Sequence, residues 1–105
     1  MTLDGKRIGI LLTGSPLAPG FRHGVRLARA ALSRGVAVYL YCIDEAVAGV
    51  DDVELQALKM NGHKLFACAY AARQRDLPLN DLATFSGLGG LSDLVTGTDR
   101  FVAFS

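Results

Sequence analysis

The 105-residue sequence has no tryptophan, only two cysteines, three prolines and almost no excess of either charge. Each scarcity narrows the function classes. No apolar run approaches the roughly 18 residues of a spanning helix, so no membrane partner is expected. The first residues lack a charged stretch followed by an apolar one and a cleavage site, so a cytoplasmic location is expected. Eleven basic residues against ten acidic ones leave a formal charge of +1, which gives nucleic acid no electrostatic footprint. Cys42 and Cys68 stand 26 positions apart, a spacing that fits neither a zinc site nor a C-x-x-C redox pair, so neither a metal nor a structural disulfide is expected.

What is abundant is apolar material, half of the residues. That suffices for one core and not two, so residues 1–105 are read as a single domain. No repeat, low-complexity tract or linker interrupts it.

Apolar runs alternate with helical patterns along the chain. Arg7 to Thr13 reads as a buried strand at the centre of a sheet, followed by a Pro- and Gly-broken loop from Gly14 to Gly20. That loop is no phosphate-binding P-loop, because the glycine spacing is wrong and no Lys-Ser/Thr follows. Phe21, Val25, Ala28 and Leu32 fall at helical spacing, with Gly35 as the stop. Arg22, Arg26 and Arg29 share the other face, read as a solvated surface in preference to an anion site, and His23 is likewise read as a surface residue.

Val36 to Cys42 is a second strand by its β-branched and aromatic content, with Asp44 and Glu45 at its carboxyl end. Asp51 and Asp52 suit a helix start, and Val53, Ala57 and Met60 recur at helical spacing before Asn61-Gly62 ends the element. After Asp76 a crossover follows in which Leu79 and Leu82 pack down, then a brief strand within Ala83 to Ser86. Gly87-Leu88-Gly89-Gly90-Leu91-Ser92 lacks the last glycine of a dinucleotide fingerprint and is read as a turn into a helix from Leu91 to Val95. Phe101 to Phe104 closes the sheet.

The chain is organised around Lys64 to Arg75. A strand from Lys64 to Ala67 gives way at Cys68 to a helix from Ala69 to Gln74, whose unpaired first amides would stand beside the thiol and favour its anion. Cys68 is the candidate nucleophile, with a second reading as a small buried hydrophobe. Cys42 also ends a strand, but no helix start follows it at once. His63 sits at the other end of the strand from Cys68, several extended residues of about 3.3 Å each away, too far to be its base.

Gly62-His63-Lys64-Leu65-Phe66-Ala67-Cys68, the small residues that follow, and basic Arg73 and Arg75 resemble the core motif of the DsrE/DsrF-like family, which includes TusD-like sulfur-relay subunits. The order of strands and helices along nearly the whole chain is similar too. Alternating strands and helices give a doubly wound α/β domain with a parallel five-stranded sheet and helices on both faces. The resemblance implies the spatial order 2-1-3-4-5. In that order the switch-point crevice lies between loop 13–20 and Cys68, which makes Thr13, Gly14, Ser15 and Arg73 candidate ligand contacts.

By the same resemblance, Cys68 carries sulfane sulfur as a persulfide and passes it to a partner cysteine, as a sulfur carrier or sulfurtransferase that needs no cofactor. The partners implied are a sulfur donor, a sulfur acceptor and further copies of the chain, as a trimer or hexamer. A ligand- or partner-binding module of the same fold, or a structural subunit of a hetero-oligomer, is the alternative. With the first strand lying between Cys42 and Cys68, their Cα atoms would stand roughly 10 Å apart, beyond the roughly 7 Å reach of a disulfide.

Overall fold

A computed structural model describes residues 5–105; the stretch read above for a leader begins in residues 1–4, outside the described residues. Five parallel strands form one sheet: β1 (Arg7–Leu12), β2 (Ala37–Cys42), β3 (Lys64–Cys68), β4 (Thr84–Ser86) and β5 (Arg100–Phe104). Between them lie α1 (Pro19–Ser33), a 3₁₀ turn (Asp44–Gly49), α2 (Val53–Met60), α3 (Ala69–Gln74) and α4 (Leu88–Gly97). The α/β class, the five strands and the helices on both faces are as expected.

The strand order is not. It runs β4-β3-β2-β1-β5, so the expected 2-1-3-4-5 is corrected, and β2 rather than β1 holds the centre. The reason lies in the helices. Right-handed crossovers that keep moving in one direction leave successive helices on the same face of the sheet, whereas a 2-1-3 order would put the first two on opposite faces. Here Arg22 of α1 reaches Asp52 at 2.8 Å and Glu54 at 2.9 Å, and Arg29 reaches Glu54 at 2.9 Å. These ion pairs fasten α1 beside α2. Two of the three arginines read as a solvated surface therefore join two elements, and Asp52 also caps α2 by accepting from the amides of Glu54 and Leu55.

The core on this face joins Ile10, Leu12, Val38 and Leu40 to Phe21, Val25 and Ala28 of α1 and to Leu55 and Leu58 of α2. Gly24 seats α1 on the sheet: a Cβ there would collide with Leu12 Cδ2. In α2 the buried stripe is Leu55 and Leu58, while Val53 and Met60 are 85% and 88% exposed. Their helical spacing is real, but it marks the outer side. Leu79 is also largely exposed, and Leu82 half-buried.

The last crossover runs back from the β4 edge to β5, which carries α4 to the opposite face. There Leu94 of α4 packs near Gly9 of β1. The glycine-rich segment expected as a turn starts this helix three residues earlier than expected, at Leu88. No helix among the described residues is long and apolar enough to cross a membrane.

Candidate functional site around Cys68

Cys68 is both the last residue of β3 and the N-cap of α3, with φ −76° and ψ 116°. Extended backbone at that point, followed at once by helix, turns the thiol back over the first turn, where Sγ accepts the Ala71 amide at 3.4 Å. A cap that normally falls to Ser or Asp is thus made by sulfur. The thiol is 2% exposed.

Register decides its neighbours. Tyr41 pairs with Phe66, and Cys68 pairs with Ser86, so by alternation Tyr41, Phe66, Cys68 and Ser86 share the face covered by α4. The Tyr41 and Phe66 rings stack with centroids 6.5 Å apart. The Tyr41 hydroxyl donates to the Gly87 carbonyl at 3.0 Å and accepts from Ser86 Oγ at 3.4 Å. Gly90 lets the first turn of α4 close over this group, since a Cβ there would lie 2.6 Å from Ser86 Oγ. Burial pushes the Tyr41 phenol above its ordinary value; the hydrogen bond with Ser86 opposes the rise and negative charge on Cys68 adds to it. The phenol therefore stays neutral in neutral solution and serves as a fixed donor.

Tyr41 and Ser86 were not legible as site residues. They lie 45 positions apart, and only the β2-β3-β4 neighbourhood brings them to Cys68.

The candidate ligand contacts do not gather here. With β2 between β1 and β3, the loop after β1 ends two strand spacings, roughly 10 Å, from the end of β3. Thr13 turns the other way, its amide donating to Phe104 of β5 at 3.0 Å. Gly14 packs against the Ser105 backbone, and Ser15 Oγ accepts the Leu17 amide at 3.1 Å. Arg73 is exposed in the last turn of α3. The crevice between loop 13–20 and Cys68 belonged to the corrected strand order. Asp44, with φ 53°, and Glu45 begin the 3₁₀ turn on the surface.

The two cysteines stand on adjacent strands, with Cys42 opposite Ala67, one residue before Cys68. The 10 Å separation is therefore corrected, yet the thiols still diverge, because successive positions point to opposite faces. A disulfide needs Cβ atoms facing each other. Non-reducing peptide mapping of the oxidised, folded protein should find no Cys42–Cys68 bond; its presence would mean that β2 or β3 had shifted register. Cys42 is fully buried on the α1 face, and burial pushes its thiol up to about 12, so it is no nucleophile in neutral solution. His63 is at the far end of β3, as expected, and is itself buried.

Among the described residues, no group of three or more His, Cys, Asp or Glu side chains is arranged to hold a metal. No family model matches the sequence. No curated protein matches it either. The structure is similar to the crystal structure of the ychN protein from E. coli, with a TM-score of 0.79 at 17% identity, covering 94% of this chain and 99% of that one. At that identity the likeness shows a shared α/β fold.

Proposed function

We propose that the chain is a sulfur-relay protein in which Cys68 is the carrier. One observation bears most of the weight: a thiol at a strand–helix junction whose sulfur already accepts a backbone amide, from Ala71. That amide would stabilise negative charge as sulfur is taken up or released. The resemblance of the Gly62 to Arg75 segment to the DsrE/DsrF-like motif supports the same reading.

In the proposed reaction the Cys68 thiolate attacks the outer sulfur of a donor persulfide. A new S–S bond forms at Sγ, the donor's S–S bond breaks, and the donor leaves as a thiolate. An acceptor cysteine thiolate then takes the outer sulfur from Cys68 in the same way. No external oxidant or cofactor enters. Donor and acceptor are other proteins, and a homo-oligomer is part of the proposal, in keeping with the large apolar side chains left exposed at Leu17 and Met60.

The 2% exposure of Cys68 favours a second reading, a binding or structural module in which the thiol only packs. Intact-protein mass spectrometry after incubation with inorganic polysulfide separates the two. The carrier gains one sulfur atom, removable by a thiol reductant, in the native protein and in Cys42→Ser, and none in Cys68→Ser. Equal uptake by Cys68→Ser, or no uptake by the native protein, would sink the carrier reading.

A further inference from the structure

A second concave region lies far from Cys68, at the opposite, amino-terminal edge of the sheet. It is a groove of about 630 Å³ between the end of α1 and the starts of β1 and β5. That volume is within the range of small-molecule sites, roughly 300–1,000 Å³. Its wall and its rim differ in character. The wall is apolar, made by Ile8 of β1 with Leu27 and Ala31 of α1. Among the described residues, Lys6, Arg7, Arg34 and Arg100 stand around it, against a single acid, Asp99.

Structural duties account for only part of this charge. Arg34 sits at the carboxyl end of α1, where a cation complements the helix dipole. Asp99 is occupied in accepting the Arg7 amide at 2.7 Å, and Arg7 Nη1 donates to the Gly97 carbonyl at 3.3 Å. Among the described residues, Lys6, Arg34 and Arg100 form no ion pair with a carboxylate. A cationic rim over an apolar trough is complementary to one chemical class: an anion with a hydrocarbon tail. We propose that this groove binds a medium-chain carboxylate, its head between Arg34 and Arg100 and its chain along Ile8, Leu27 and Ala31.

The proposal is independent of the sulfur-relay reading, and its test keeps the two apart. Decanoate is titrated into the full chain while amide chemical shifts are followed, with decanol and inorganic phosphate as controls. Saturable shifts should concentrate at Ile8, Leu27, Ala31, Arg34 and Arg100. Removing the charge-assisted contacts in Arg34→Glu/Arg100→Glu should weaken binding by about tenfold or more, and the bulk of Ala31→Trp should block it. Arg34 and Arg100 are exposed and Ala31 is partly exposed, and a retained amide spectrum verifies folding. Cys68→Ser should bind as the native protein does. Decanol or phosphate binding as tightly as decanoate, affinity unchanged in the double variant, or shifts mapping elsewhere would each overturn the proposal. So would shifts of the groove residues with protein concentration alone, which would assign it to a second copy of the chain.

Discussion

Between pH 6.5 and pH 4 the protein should lose about 3 kcal/mol of stability through one residue, His63. The residue is 2% exposed, and neither Nδ1 nor Nε2 has a hydrogen-bond partner among the described residues. Burial lowers its pKa from 6.5 to about 4. The direction follows from proton counts: in this window the unfolded chain binds a proton that the native state refuses, so stability rises with pH and falls on acidification. The contribution is complete above 6.5 and gone below about 4. Urea titrations at intervals across this range should show the decline, and His63→Leu should flatten it. A variant that kept the same slope would move the effect to another group. Asp52 acts in a separate, more acidic window, because the Arg22 hydrogen bond holds its carboxyl below the ordinary value of 3.8. Its contribution is present above that value and is lost only as pH falls through the lowered one.

Asp52→Ala should cost about 2 kcal/mol, which for a chain of this size lowers Tm by roughly 10 °C. Two functions disappear together. The carboxylate caps α2 through the Glu54 and Leu55 amides, and it holds Arg22 of α1 through two contacts, at 2.8 and 3.3 Å. Asp52→Asn separates them, since asparagine caps about as well but carries no charge. It should recover more than half of the loss, and salt should affect the native protein more than this variant. Thermal unfolding of both variants at low and high ionic strength is the measurement. Equal losses for Ala and Asn would show that the ion pair, and not the cap, dominates.

The same pair of helices explains what the amino-acid order reveals and what it conceals. Strand and helix positions were legible because each is written locally: the apolar run of β1, the β-branched and aromatic residues of β2, the break at Cys68. Strand order is not local. It goes with α1 and α2 lying on one face, where Arg22 meets acids 30 and 32 positions away, and an arginine on a helix face looks the same whether it meets water or a neighbouring helix. The α2 stripe was misread for a related reason, since Val53, Ala57 and Met60 show helical spacing as clearly as Leu55 and Leu58 do. Cys68 could be singled out because its signal, strand then helix, is contiguous. Tyr41 and Ser86 could not, and Thr13, Gly14 and Ser15 were drawn toward Cys68 by the expected order 2-1-3-4-5, whereas the observed order sets β1, and Thr13 with it, beside β5.

One face of the sheet rests on two helices fastened by ion pairs, and the other on α4. That helix contains Gly89, Gly90 and Gly97, each about 1 kcal/mol poorer than alanine as a helix former where it sits in the interior. No side chain caps its start, and Leu94 is its one buried residue. Local unfolding begins where burial and propensity are weakest, so amide exchange is expected to be faster in α4 than in α1 or α2. Its opening would lift the Gly90 turn from Ser86 and Tyr41, so the hydrogen bonds of that pair are expected to be the first on this face of the sheet to exchange with water.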